Sequence, residues 1–461
     1  MKKLIPEKLK RHLRILKFRF LCLIYGVDVK RVKFIGVTGS SGKTTTASMI
    51  YHLLNQSGVK VGLISTVGVK AGDKEIQTGF HVTTPDPEDL VKFTMLMIRK
   101  VVDYVVLESS SHALEQGRLG TIQYSHAVYT NIKSDHLDWH KTWENYARAK
   151  ARMLDMLKEN GTAVLNKDDI ASFEFLMNHM QSLDKNINAS EYSLSEISNL
   201  KESLEGLEFQ YKGQQFNLKI LGEYNVSNAL AALKLAERLD IPLKKLAEAF
   251  ESFKTIQGRM EVFQINPFVV ILDFAHNADS LEKSLKTARK LTKMDGKIIS
   301  VFGSAGLRDV KKRYEMGKIS GEVADITIVT AEDPRTEKLY NINSEIVRGL
   351  EDSGPKFIRR FKDHNDYLEY LDSLGKNTLP TLKPELKKDD SESVPVKEVF
   401  VFDEENVQNR YDAIDLAVRL AKTGDVVITN GKGHEQTLAF GTIEYPFNDS
   451  DAIKKALEAS H

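Results

Sequence analysis

Short runs rich in β-branched and aliphatic residues alternate with longer segments of helical periodicity from Val32 onward. The runs Lys33 to Thr38, Val59 to Ser65, Asp103 to Glu108 and His126 to Thr130 predict strands, and the helical stretches between them predict a mostly parallel, doubly wound sheet. A second series follows Gly258, with strands expected at Val269 to Asp273, Lys297 to Phe302, Ile326 to Thr330, Glu398 to Phe402 and Asp425 to Thr429. The fold class is therefore α/β. A basic helical segment over 1–31 precedes a central domain over 32–261 with a mostly parallel sheet, and a Rossmann-like C-terminal α/β domain covers 262–461. Residues 376–397 are polar and carry Pro380, Pro384 and Pro395, which reads as an exposed insertion. Open α/β sheets bind ligands outside the carboxyl ends of their strands, so candidate chemistry is sought there.

The first 33 residues hold eleven Lys or Arg against Glu7 and Asp28, interleaved with Leu9, Leu13, Leu16 and Phe20. This pattern predicts a basic amphipathic helix. Such a helix either docks on the body with a solvated basic face or contacts an anionic membrane surface, ligand or partner through residues 1–25. The apolar run Phe20 to Tyr25 is too short to span a bilayer, and no secretory signal is evident. A net charge of +1 gives no general attraction to nucleic acid. The single cysteine, Cys22, excludes an internal disulfide and a multi-cysteine zinc site, in keeping with a cytoplasmic protein.

The segment Phe34 to Thr46 (FIGVTGSSGKTTT) runs from an apolar strand through a glycine-rich turn into a helical pattern. Gly39 and Gly42 allow a tight turn whose amides and following helix N-terminus face phosphate oxygens. Lys43 supplies a point charge there, and Thr44 or Thr45 can reach Mg²⁺. Gly36 stands one residue too far from Gly42 and Lys43 for the common G-x-x-x-x-G-K-[ST] form. Glu108 closes a buried strand at its carboxyl edge, where a hard oxygen donor can hold Mg²⁺ beside the phosphates.

Several further motifs follow in order. They are Thr83-Thr-Pro-Asp86, Glu108 to Arg118 (ESSSHALEQGR), Asn131 to His140 (NIKSDHLDWH), Tyr146-Ala-Arg-Ala-Lys150, Asn225 to Asn228, Gly258-Arg-Met-Glu261, Asp273-Phe-Ala-His276 and Gly431-Lys-Gly-His-Glu435. With Thr-Gly-Ser-Ser-Gly-Lys-Thr at 38–44, this series resembles the Mur ligase family of peptidoglycan synthesis, and most closely its tripeptide synthetases.

The resemblance implies an ATP-dependent, ADP-forming ligase that adds an amino acid to a muramoyl-peptide-like carboxylate through an acyl-phosphate. ATP would be held by Thr38, Gly39, Ser40, Ser41, Gly42, Lys43, Thr44, Thr45, Asn228, Asp273 and His276. Two Mg²⁺ ions would be held by Thr44, Glu108, His136 and Lys150, the last carbamylated in the family. Lys43, Arg259, His136 and Lys150 would serve catalysis, with cationic groups stabilising developing negative charge. Thr83, Thr84, Ser110, Gln116 and Arg118 would take the acceptor, and Arg308, Asp333, Arg335, Gly431 and Glu435 the incoming amino acid.

An arginine after Asn-Pro or Asp-Pro favours meso-diaminopimelate in this family, although Asp333 stands where diaminopimelate-type enzymes usually carry asparagine. Only 37 residues precede Thr38, where family members carry a separate UDP-binding domain. The UDP end of the acceptor is then expected to be gripped by the basic segment, supplied by a partner, or absent from the substrate. A UDP-free or non-muramoyl acceptor, and a non-catalytic ATP-binding module, are the alternatives.

Overall fold

The computed structural model describes residues 7–76, 83–133, 137–355, 357–375 and 397–460. The expected insertion at 376–397 falls almost wholly outside them, as does His136. The chain forms two compact units that divide between Ile256 and Gln257.

The first unit opens with helix α1 (Glu7–Tyr25). Its inner face is pinned by Phe18, which is fully buried, and a Cβ at Gly120 would lie 2.1 Å from the Phe18 ring. The strands are β1 (Lys33–Thr38), β2 (Val61–Ser65), β3 (Gly68–Ala71), β4 (Lys74–Ile76), β5 (Tyr104–Glu108), β6 (Tyr124–Tyr129), β7 (Leu157–Asn166) and β8 (Ile187–Tyr192). They form one sheet in the order β4-β3-β2-β5-β1-β6-β7-β8. The β2–β3–β4 meander at one edge is antiparallel, and every other pairing is parallel. Helix α2 (Lys43–Gln56) buries Met49, Ile50, Leu53 and Leu54 on one face of this sheet, in a core shared with helix Tyr224–Glu237. A separate antiparallel sheet, β9 (Ile197–Ser203), β10 (Gly206–Tyr211) and β11 (Gln214–Leu218), adds Phe209, Tyr211 and Phe216 to the same core.

Register places the ends of the central strands level. Val37 pairs with Glu108, and Thr38 with Tyr129. The turns after β1, β5 and β6 therefore emerge side by side at the carboxyl edge.

The second unit is a seven-stranded sheet of β12 (Glu261–Gln264), β13 (Val269–Leu272), β14 (Ile298–Phe302), β15 (Ile326–Val329), β16 (Phe357–Phe361), β17 (Glu398–Phe402) and β18 (Val426–Thr429). Its order is β12-β13-β18-β14-β15-β17-β16, and β12 alone runs antiparallel to its neighbour. Leu272 and Val301 both pair with Thr429, and Phe302 pairs with Val329, so Asp273, Asn430, Gly303 and Thr330 leave the sheet together. Among the described residues, no helix is long and apolar enough to cross a membrane.

Candidate active site

The turn after β1 is shaped for something smaller than a side chain. Gly42 has φ +81°, in the left-handed region, and a Cβ there would sit 2.2 Å from Asn228 Oδ1. A Cβ on Gly39 would sit 1.8 Å from Thr130 Oγ1. Both positions accept only glycine at this closeness. The turn is fastened from the end of β6: Ser40 N donates to Asn131 O (2.8 Å), Ser41 N to Asn131 Oδ1 (3.0 Å) and Thr130 Oγ1 to Ser41 O (2.6 Å). Lys43 Nζ folds back to Ser40 O at 2.8 Å, and Thr38 Oγ1 donates to Ser109 O at 2.6 Å.

Glu108 is 1% exposed, with one oxygen engaged at the head of α2 and the other on the turn after β2. Oε1 accepts from Thr44 Oγ1 at 2.9 Å, while Oε2 accepts from Thr66 N (3.0 Å) and Thr66 Oγ1 (2.9 Å). Capping of the helix Ser111–Gln116 falls instead to Ser110, whose Oγ accepts from Ala113 N. Glu108 is thus a hard anionic donor beside the phosphate turn and not a helix cap. That is the donor chemistry a Mg²⁺–triphosphate requires, and the residues present fit it.

Lys150 lies on helix Trp143–Asp155, 1% exposed, and its Nζ donates to Gly39 O at 2.7 Å while standing 4.5 Å from the centre of the Tyr146 ring. Tyr146 OH in turn accepts from Ser40 Oγ at 3.1 Å. Asn228 Oδ1 accepts from Thr46 Oγ1 at 3.2 Å, and its Nδ2 donates to Asn225 Oδ1 at 2.8 Å. Thr45 is buried in the first turn of α2. Residues as far apart in sequence as Gly42 and Asn228 therefore converge on one turn. Thr84 Oγ1 bonds Glu108 O (2.9 Å) and receives Ser110 N (2.9 Å), which draws the segment bearing Thr83 to this edge. Arg118 Nε donates to Gln116 Oε1 at 3.0 Å, and burial lowers the Arg118 pKa against the pull of Asp86.

In the second unit, three distant motifs pack together. A Cβ at Gly258 would lie 2.3 Å from His434 N. Arg259 stacks 4.2 Å above the Phe274 ring, and Phe274 also faces His434 at 5.1 Å and His276 at 4.7 Å. Asp273 Oδ1 accepts from Met260 N at 3.1 Å, and burial raises the carboxyl pKa despite the Arg259 charge. Burial, with Arg259 and Lys432 adding to it, holds His434 down at about 3, so its imidazole is neutral at physiological pH.

Asp333 is turned inward. Its Oδ1 accepts from Lys432 Nζ (2.8 Å) and Ala439 N (2.9 Å), and Lys432 also meets Glu435 at 2.6 Å. Arg335 lies 3.7 Å from Asp333 and donates to Gly306 O at 2.9 Å, with its side chain 30% exposed. Gly431 has φ +109° and fits against Glu332, whose Oε2 would be 2.5 Å from a Cβ there. Arg308 is exposed on the loop after β14 and is not drawn into this cluster.

Sequence reasoning passed over Thr66, Thr130 and Arg410, and treated Asn131, Glu332 and Lys432 only as letters of a motif. Polar residues directly after buried strands were the available signal for the first two.

Residues 37–236 match the Mur ligase middle domain, and 258–386 match the Mur ligase glutamate ligase domain. The chain belongs to the Mur ligase family. It is 34% identical over 450 residues to the UDP-N-acetylmuramoyl-L-alanyl-D-glutamate--2,6-diaminopimelate ligase of Clostridium tetani, covering 94% of this chain and 79% of that protein. It is also 31% identical to the UDP-N-acetylmuramyl-tripeptide synthetase of Borreliella burgdorferi, covering 95% of this chain and 79% of that one. A solved UDP-N-acetylmuramoyl-L-alanyl-D-glutamate--2,6-diaminopimelate ligase superposes with a TM-score of 0.60 at 26% identity, over 99% of this chain and 84% of the other. As a Mur ligase, the chain is an ADP-forming enzyme.

Proposed function

We propose that this Mur ligase adds a diamino acid, meso-diaminopimelate foremost, to the carboxylate of a UDP-N-acetylmuramoyl-dipeptide-like acceptor. The observation that carries the reading is the placement of Thr44 Oγ1 and Glu108 Oε1 2.9 Å apart beside the glycine turn. Mg²⁺ bound there would neutralise phosphate charge. An acceptor carboxylate oxygen attacks the γ-phosphorus of ATP and ADP leaves. The amine of the amino acid then attacks the acyl carbon, loses a proton, and phosphate departs with the former carboxylate oxygen.

The chain's own contribution is positional. Gly39 and Gly42 bring backbone close to phosphate, and Lys43 releases Ser40 O to meet the terminal phosphoryl group. Lys150, anchored on Gly39 O, adjusts the turn and is the residue proposed to carry a carbamate. Asn228 ties the same turn to helix Tyr224–Glu237, and Asp273, His276 and Arg259, grouped around Phe274, are further residues proposed to meet ATP. Thr83, Thr84, Ser110, Gln116 and Arg118 suit an anionic, hydroxyl-rich acceptor. Arg335 can grip a distal carboxylate bidentately, and Glu435, Asp333 and Gly431 shape the loops beside it.

The test crosses UDP-muramoyl-dipeptide and its UDP-free analogue with diaminopimelate, lysine and glutamate, and follows phosphate release. Turnover that requires an acceptor and a diamino acid together is expected. ATP splitting indifferent to both would overturn the reading.

A further inference from the structure

Helix α1 is apolar on two opposite faces, and among the described residues only one of them is packed against the rest of the chain. The inner face carries Phe18, Ile15, Leu21 and Tyr25 against the first unit, and Arg14 Nη1 donates to Gln116 O at 3.3 Å. The outer face carries Leu9, Leu13, Leu16, Phe20, Leu23 and Ile24, each between 49% and 80% exposed. Their spacing of three and four residues gathers them into one stripe along the helix. Lys10 and Lys17 flank the stripe on one side, and His12 and Arg19 on the other. The whole helix holds six Lys or Arg against Glu7 alone.

We propose that this outer face docks α1 in the plane of an anionic membrane surface. Large aliphatic and aromatic side chains would enter the headgroup boundary while the flanking lysine and arginine stems reach back to acidic headgroups. The 19-residue helix lies along the surface and does not cross it. A second copy of the chain fits this face less well. The spacing resembles a coiled-coil seam, but the positions beside it are basic on both sides, so self-pairing would set like charges together. A protein groove lined with acidic residues is the other occupant the chemistry allows, and the experiment below separates it. The inner face ends on the 116–120 turn, beside Gln116 and Arg118, so docking would hold the expected acceptor residues close to the bilayer surface. The proposal stands independently of which substrate the ligase uses.

The full chain is floated with vesicles of phosphatidylcholine alone and with vesicles containing phosphatidylglycerol, at low and high salt. About tenfold or more enrichment on anionic vesicles is expected, largely lost at high salt, since basic groups are drawn to acidic headgroups by a field that salt screens. Leu16→Glu/Phe20→Glu alters only exposed positions and should abolish flotation while leaving ATP turnover in solution unchanged. Lys10→Glu/Lys17→Glu should remove the anionic preference alone. Equal flotation of Leu16→Glu/Phe20→Glu and wild type, or no preference for anionic vesicles, would overturn the proposal. So would a wild-type dimer in sedimentation, or saturable binding to an acidic protein, in the absence of flotation.

Discussion

The hydroxyl of Thr44 and the carboxylate of Glu108 meet at 2.9 Å although they are 64 residues apart, because β1 and β5 run parallel and end level at Val37 and Glu108. The glycine turn alone suits a phosphate. This pair adds the hard oxygen donors that a Mg²⁺ counterion would need. Glu108→Gln keeps the shape and removes the charge, so kcat should fall about 10²–10³-fold, the scale of losing one fixed electrostatic contact. Activity titrated with Mg²⁺ checks this, with circular dichroism melting to confirm the fold.

Gly42→Ala should abolish nucleotide binding and cost about 1–3 kcal/mol, because φ is +81° and a Cβ would strike Asn228. Gly26→Ala is the control: φ is +61° there, but nothing lies within 4 Å of a Cβ. It should cost about 1 kcal/mol and leave binding intact. Urea unfolding and nucleotide titration of both variants measure the difference.

Arg410 and Asp449 form an ion pair in which neither side chain is exposed, and Arg410 also donates to Ala331 O at 3.0 Å and Asn430 O at 2.9 Å. These carbonyls immediately precede Glu332-Asp-Pro-Arg335 and Gly431-Lys-Gly-His-Glu435. Arg410→Met strands a buried carboxylate and should cost about 3–5 kcal/mol. Adding Asp449→Leu should restore much of that stability, yet leave both carbonyls without their donor. The KM for the amino acid should therefore stay raised in the double variant while the KM for ATP recovers.

Burial pushes the Glu332 carboxyl up to about 7, against the pull of Lys312, Arg410 and Lys432. A carboxyl raised on folding binds its proton more tightly in the folded chain, so its stabilising effect is complete below the unfolded pKa of roughly 4.3 and is lost as pH rises toward 7. The gap corresponds to at most about 4 kcal/mol. Glu332→Gln should flatten the stability profile over this window, as urea unfolding from pH 4.5 to 8 would reveal. An unchanged profile would remove Glu332 as its source.

The central parallel strands were legible because, buried on both faces, they read as unbroken apolar runs: β1 and β17 match their expected bounds, and β14 begins one residue later than expected. Edge elements were not. β3 and β4 are short, and charged residues such as Lys74 and Glu75 in β4 and Arg359 and Arg360 in β16 interrupt the apolar pattern. In the candidate site, residues tied to a local turn were visible, whereas Thr66 beneath Glu108 and Asn131 against the Ser40 and Ser41 amides owe their roles to strand register. Asp333 shows the limit most clearly. Its replacement of asparagine suggested altered substrate contact, but its carboxylate is held by Lys432, a pairing 99 residues apart.

Oxygen tracing addresses the claim on which the account rests, that the turn at 38–44 delivers a terminal phosphoryl group to an organic acid. The acceptor carboxylate is labelled with ¹⁸O, and the released phosphate is analysed by mass spectrometry. One labelled oxygen per phosphate is expected in wild type, with no release from Lys43→Ala. Unlabelled phosphate accompanying product, or undiminished release from Lys43→Ala, would contradict the account.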